Sequence, residues 1–428
     1  MKYKKSEYVP RLIDRKIDTY LSVFGAICID GPKWCGKTWT STNHTKTQTY
    51  IDEYNNQEIA LLDPKAIFVD IEKRPQLIDE WHFVPELWDA VRRECDNSPI
   101  KGNFILTGST TLSKKEQKKK IKHSGTGRIA NLKMYTMSLY EASFSTGEAS
   151  IMDMYNGTQK TKAINKAELK TIAKYIIQGG WPENIKVDED KIHLIPQNYI
   201  QSVVEKDISQ NKKIDTNKMY MLLRSLARNE TAIIGNSTLL KDIIDNENEQ
   251  NNILSSRDTI YKYLEDLDRL HLIENQLAYS ENYRSRERIG KNPKRHFTDP
   301  SLACACLNLT ADKLMNDIKT FGFMFEALVE RDLRIYMDYL DGRLLHFRDN
   351  VTGLEVDAIL EFPDGEYAAV EIKLGSQRVN EAIQNLTKFS QNMTKAPKFM
   401  CVIIGVGNFI YKDKQSGIYV VPITTLKP

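Results

Sequence analysis

Residues Gly31-Pro32-Lys33-Trp34-Cys35-Gly36-Lys37-Thr38 satisfy the spacing G-x-x-x-x-G-K-[ST] at every fixed position. The chemistry explains each of them. Glycines let the backbone turn tightly and aim its N–H groups inward at phosphate oxygens. Lys37 brings a positive charge to the β- and γ-phosphates, and the Thr38 hydroxyl is a magnesium ligand. Phe24–Asp30 (F-G-A-I-C-I-D), just upstream, is a short apolar run of the kind that forms a buried parallel strand. A helix is expected to follow. In that context the loop, with Trp39 adjoining it, is expected to bind ATP and Mg2+.

Working outward, Ala66–Ile71, Gln76–Ile78 and Asn103–Leu106 are further apolar runs, with helical stretches such as Glu86–Glu94 between them. Strands alternating with helices predict an α/β domain with a parallel sheet. Leu77-Ile78-Asp79-Glu80 puts two carboxylates at a strand end. Asp79 would hold magnesium, directly or through water, and Glu80 would act as general base on the attacking water. An exposed acidic pair is the plainer reading. The next run ends Thr107-Gly108-Ser109, and either hydroxyl is a candidate to touch the γ-phosphate or the water. Arg128, in Ser124-Gly-Thr-Gly-Arg128, is a candidate arginine finger acting across a subunit interface or a surface arginine.

Beyond this region Lys114–Lys122 is a basic run, readable as a phosphate contact or as a solvated loop. Ala163–Gln210 and Asn217–Leu277 read as mostly helical. Within the latter, Ser255–Leu272 resembles the second helix and the approach to the wing of a winged-helix module. Tyr283–His296 reads as a linker, and its Arg284, Arg286, Arg288, Lys291, Lys294 and Arg295 suit DNA-backbone contacts equally well.

The last segment has a helix at Phe321–Tyr339 and strand-like runs at Leu344–Phe347, Glu355–Leu360, Ala368–Ile372, Phe399–Ile404 and Tyr419–Val421. A turn, Phe362-Pro-Asp-Gly365, joins two of them. Glu371 and Lys373 are two apart on one strand and so share a face. A hairpin would bring Asp357 near them, and Glu326 lies on the helix. This order of residues looks like the E…D…E-x-K pattern of the PD-(D/E)xK nuclease superfamily, whose carboxylates hold magnesium and whose lysine positions or activates water. A fold retained for docking, or a salt bridge of Lys373 with a neighbouring carboxylate, explains the same residues.

The bulk numbers fit a soluble multidomain protein. The chain has 428 residues, 41% hydrophobic and 27% charged, with 60 Lys+Arg against 57 Asp+Glu and a net charge of +3. So small a charge restricts any nucleic-acid surface to a local patch. Cys28, Cys35, Cys95, Cys304, Cys306 and Cys401 have no zinc spacing and read as reduced thiols. The N-terminus lacks the apolar core of a signal peptide, and no apolar run approaches membrane-spanning length. A cytoplasmic location, without membrane partners, is expected.

Taken in order, G-P-K-W-C-G-K-T, L-I-D-E-W, F-I-L-T-G-S, S-G-T-G-R, G-G-W-P-E at Gly179–Glu183 and F-T-D-P at Phe297–Pro300 resemble the AAA-type ATPases of bacteria and archaea that carry a C-terminal domain of unknown function. The resemblance implies an AAA-like core (1–150), a helical lid (151–215), a winged-helix unit (216–285) and a nuclease-like domain (286–428). Trp34 and Cys35 depart from the small or polar residues usual there, with side chains free to point away from the phosphates. Three activities follow as expectations. One is an Mg-dependent ATPase coupled to a module acting on DNA or RNA, with domain closure and homo-oligomers. Another is an ATP switch whose C-terminal parts dock protein partners. The last is a metal-dependent nuclease gated by ATP.

Overall fold

The computed structural model describes residues 7–108, 121–208, 215–244, 257–282, 284–285, 288, 291–349 and 351–428. Contacts divide the chain into two compact units. One comprises Met1–Thr136 with Leu267–Leu272, the other Met137–Asp266 with Ile273–Pro428.

The first unit is built on five parallel strands: β1 (Ala26–Asp30), β2 (Thr47–Tyr50), β3 (Gln76–Asp79), β4 (Phe104–Gly108) and β5 (Ile129–Lys133), in the order β2-β3-β4-β1-β5. Helices α1 (Asp14–Val23), α2 (Lys37–Asn43), α3 (Tyr54–Leu62) and α4 (Glu86–Asn97) accompany them. The central strands are mostly apolar because both faces are covered, and they turn polar at the ends that meet the loop. Ala26, Cys28, Ile78 and Leu106 enter one core with Trp81, Trp88 and Val91. Their neighbours Ile27, Ile29, Leu77 and Ile105 enter a second core with Ile17 and Leu132. This alternation is the two-residue period of a strand. Because the strands are parallel, the ends of β1, β3 and β4 lie on one edge, where ligands of open α/β sheets bind.

The strand expected at Ala66–Ile71 does not form. Pro64–Ile67 and Ile71–Lys73 are 3-10 turns instead. The remaining strand is β2, whose Thr-Gln-Thr-Tyr is only partly buried at the sheet edge and so carries no apolar run.

The second unit holds a nine-stranded sheet in the order β7-β14-β15-β13-β12-β11-β10-β8-β9. Its strands are β7 (Lys162–Ala163), β8 (Ile273–Ala278), β9 (Lys294–Phe297), β10 (Arg343–Arg348), β11 (Glu355–Glu361), β12 (Tyr367–Lys373), β13 (Phe399–Ile404), β14 (Phe409–Lys412) and β15 (Tyr419–Pro422). A separate short pair joins β6 (Ala149–Ser150) to β16 (Leu426–Lys427). The helices of this unit include α5 (Leu169–Gln178), α6 (Leu194–Ser202), α7 (Thr216–Arg228), α8 (Asn236–Ile244), α9 (Arg257–Arg269, whose end from Leu267 on belongs to the first unit), α10 (Pro300–Cys306), α11 (Ile318–Tyr339) and α12 (Val379–Asn392). All five strands read from the C-terminal sequence are present, and Phe362–Gly365 closes the β11–β12 hairpin through Gly365 N–H to Phe362 O at 3.0 Å.

Tyr283–His296 is not simply a linker. Lys294, Arg295 and His296 lie in β9, which pairs with β8, and β8 pairs in turn with β10. β8 and β9 thus continue the sheet that holds the C-terminal strands. Tyr283 and Arg286 lie outside the described residues. Arg288 pairs with Glu361 at 2.7 Å, Lys291 donates to Arg348 O, and Arg295 donates to Ile234 O and Asn236. Lys294 is 2% exposed, too deep to meet a DNA phosphate.

The motifs without an assigned chemistry hold one another. Gly180 N–H donates to Asp299 Oδ2 at 2.9 Å and the Trp181 indole to Ser301 at 2.9 Å. Asp299 pairs with Arg331, and Arg331 with Asp332, all of them buried. A side chain at Gly180 would meet Met137 O at 2.0 Å, so glycine is required there. G-G-W-P-E and F-T-D-P are thus two sides of one internal seam.

Candidate functional site

The phosphate-type loop leaves the buried end of β1 and enters α2. Gly31 has no room for a side chain, since a Cβ would meet Met134 O at 2.2 Å. Gly36 adopts φ 102, a left-handed conformation cheap only for glycine. Of the variable positions, Pro32 and Cys35 are buried, Lys33 and Trp39 half-buried, and Trp34 is exposed, so Trp34 turns away from the loop's interior as expected. The buried Lys37 ammonium donates to Gly31 O at 2.9 Å and Pro32 O at 2.8 Å.

Asp79, at the end of β3, faces this loop. Thr38 Oγ1 donates to its two carboxylate oxygens at 3.1 and 3.2 Å, and Thr107 Oγ1, from the end of β4, donates to Oδ1. Burial pushes the Asp79 carboxyl up to about 6, against the lowering effect of Thr107 and Thr38. The sequence left Thr107 and Ser109 as alternatives. Thr107 serves Asp79, while Ser109 and Lys114–Lys120 lie outside the described residues.

Glu80 follows with φ 55 and ψ 41, a left-handed conformation that costs a non-glycine residue on the order of 1 kcal/mol and is concentrated at functional sites. Its Oε2 is 3.2 Å from His82 Nδ1. Arg128 sits apart from these groups in its role as a partner: its Nε donates to Asp96 on α4 at 2.7 Å, and its side chain is 49% exposed.

Two contributors had no sequence signal. Buried Arg11 bridges Cys35 O at 2.8 Å and Tyr135 O at 2.9 Å, fastening the loop to the segment after β5. A lone arginine before the first helix announces nothing of this. His271, in the distant segment Leu267–Leu272 of the same unit, is buried, and burial with the charges of Lys133 and Lys37 pushes it down to about 3, so its imidazole is neutral.

In the second unit Glu371, Lys373 and Asp357 do meet. Lys373 Nζ is 2.6 Å from Glu371 Oε2 and 3.4 Å from Asp357 Oδ2. Burial, with the nearby Asp357 charge, pushes Glu371 up to about 7. Glu326 on α11 pairs with Lys294 at 2.5 Å. Among the described residues no group of three or more His, Cys, Asp or Glu side chains is placed to hold a metal ion, and no described helix is long and apolar enough to cross a membrane. All six cysteines are unbridged.

Residues 24–143 match the AAA domain family, so the first unit is an AAA-type P-loop domain. Residues 169–313 and 321–426 match two domains of unknown function, DUF8612 and DUF4143. No curated protein matches the chain. Among solved structures it is similar to the Walker-type ATPase of Pyrococcus abyssi, at 12% identity over 72% of this chain and 98% of that one, with a TM-score of 0.44. It is also similar to the Aeropyrum pernix ORC2 protein in ADPNP–ADP complexes (12% identity, 72% and 90% covered, TM-score 0.34). The Aeropyrum pernix ORC1 protein in complex with DNA follows at 11% identity, 71% and 94% covered and a TM-score of 0.28. All three are loose likenesses, below the level at which a shared fold follows.

Proposed function

We propose that the protein is an Mg-dependent ATP hydrolase. The observation that carries this is the Thr38–Asp79–Thr107 arrangement beside Lys37, in a domain of AAA type. Magnesium suits this donor set: the Thr38 hydroxyl and the Asp79 carboxylate are adjacent hard oxygens, and the ion needs only one or two protein oxygens besides phosphates and water. When bound, it neutralises charge on the β- and γ-phosphate oxygens.

Water attacks the γ-phosphorus and the bond to the β-γ bridging oxygen breaks, giving ADP and phosphate. Glu80 takes the proton of the attacking water. Lys37 exchanges the Gly31 and Pro32 carbonyls for phosphate oxygens, and loop N–H groups hold the rest. Arg128 would contribute only if a second copy brought it to a neighbouring site.

The nucleotide state has a covalent route out of this unit. Leu267–Leu272 belongs to the P-loop unit, while the chain on both sides of it belongs to the other. Arg288 and Lys294 are held in internal ion pairs and Lys291 and Arg295 on internal carbonyl and amide oxygens, which weighs against this stretch as a DNA-backbone contact. ATP binding to wild type and Lys37→Ala, followed by calorimetry, tests the nucleotide site. Lys37→Ala should lose binding, and equal affinity would remove the proposal.

A further inference from the structure

The C-terminal carboxylates have the sequence order of a metal-dependent nuclease, but their cations are already in place. Lys294 projects from β9, 2% exposed, and its ammonium donates to Glu326 Oε1 at 2.5 Å and to Glu330 Oε1 at 2.6 Å. Glu330 is one helical turn beyond Glu326 on α11, so both carboxylates face the same point. The other side of the cluster is spoken for as well. Lys373 holds Glu371 and Asp357. Asp357 Oδ2 also accepts from Ile372 N–H at 2.8 Å, and Glu371 Oε1 accepts from Asn385 at 2.7 Å.

A divalent ion binds through ionised oxygens at about 2.0–2.6 Å and needs their lone pairs free. Here one oxygen of each of Glu326, Glu330, Asp357 and Glu371 already meets an ammonium group, and Asp357 and Glu371 accept from a backbone N–H and an amide besides. An exposed lysine could swing aside for an incoming ion. Lys294 is 2% exposed, on a paired strand beside the buried His296, so its ammonium has no solvent to swing into. Moving its ammonium would strand a charge in the interior, which is costly without a partner. The magnesium that the E…D…E-x-K pattern implies therefore does not fit these residues as they stand.

We infer that Lys294 is a resident cation that closes the carboxylate cluster to divalent metals, making it an internal staple of the second unit in place of a nuclease centre. The staple joins β9 and α11, so it binds the DUF8612-matching and DUF4143-matching segments to each other. The inference is independent of ATP hydrolysis and can fail without affecting it.

The test is manganese binding by the full chain, free of nucleotide and carrying Thr38→Ala to silence the P-loop. Bound Mn2+ is read by electron paramagnetic resonance and plasmid cleavage is read alongside. The wild-type cluster should bind no stoichiometric Mn2+ and leave the plasmid intact. Lys294→Ala should gain one Mn2+ per chain, and adding Glu326→Gln should remove it. One Mn2+ per chain with Lys294 present, lost in Glu326→Gln, would overturn the inference. So would a folded Lys294→Ala protein that still binds none. If Lys294→Ala does not fold, Lys294→Met keeps the apolar stem and carries the same comparison, and the titration with Lys294 present decides by itself.

Discussion

The Thr38 hydroxyl donates to the Asp79 carboxylate at 3.1 Å, joining the P-loop to the end of β3. Thr107 reaches the same carboxylate from β4, so the ends of β3 and β4 and the first turn of α2 converge on one buried acid. Burial holds this acid near pH 6, well above its ordinary 3.8. Folded Asp79 therefore keeps its proton more tightly than the unfolded chain does. Its contribution favours folding below about pH 4 and is lost as pH rises through about 6. Asp79→Asn should raise the stability of the nucleotide-free protein at pH 8 by on the order of 1–2 kcal/mol. The same substitution should abolish Mg-dependent ATP binding, and wild-type Mg·ATP affinity should fall as pH drops through 6. Thermal unfolding and calorimetry across that range check both directions.

Gly31→Ala should lose ATP binding while leaving the unit folded. The added methyl would overlap Met134 O, so the loop itself must shift. Fluorescent-nucleotide titration against far-ultraviolet circular dichroism separates a shifted loop from an unfolded domain.

Arg11→Met keeps the apolar stem and removes two hydrogen bonds to backbone carbonyls. Two such bonds from a charged donor predict a roughly tenfold or greater weakening of ATP binding, since each is worth about 1.5–3 kcal/mol and part of that is recovered by water. Unchanged affinity would show that the loop keeps its shape without the bridge.

Asp299→Ala removes the acceptor of Gly180 N–H and the partner of Arg331 in one step. Leaving Arg331 buried with half its charge compensation should destabilise the second unit by about 3–5 kcal/mol. Urea unfolding monitored by hydrogen exchange in peptides from β12 and α11 reports on that unit.

What was legible in the sequence follows a physical line. The P-loop was readable because backbone geometry demands fixed residues at fixed spacing. The central strands were readable because two-sided burial leaves an unbroken apolar run. β2 was not, since an edge strand needs no such run, and Ala66–Ile71 misled because largely exposed 3-10 turns can carry apolar residues too. Lys294 looked like part of a charge-rich linker or a DNA-backbone contact. Nothing local distinguishes a buried lysine from an exposed one when its partners, Glu326 and Glu330, lie more than thirty residues away. Arg11 and His271 were silent for the same reason, as single residues whose meaning comes entirely from tertiary contacts.

Glu80 carries the central claim, because binding alone would make this domain a switch and hydrolysis makes it an enzyme. The direct measurement is phosphate release under saturating Mg·ATP by wild type and Glu80→Gln, with ATP affinity measured on both. A general base predicts a fall of about a hundredfold or more with affinity retained. Equal phosphate release from the two proteins would contradict the account.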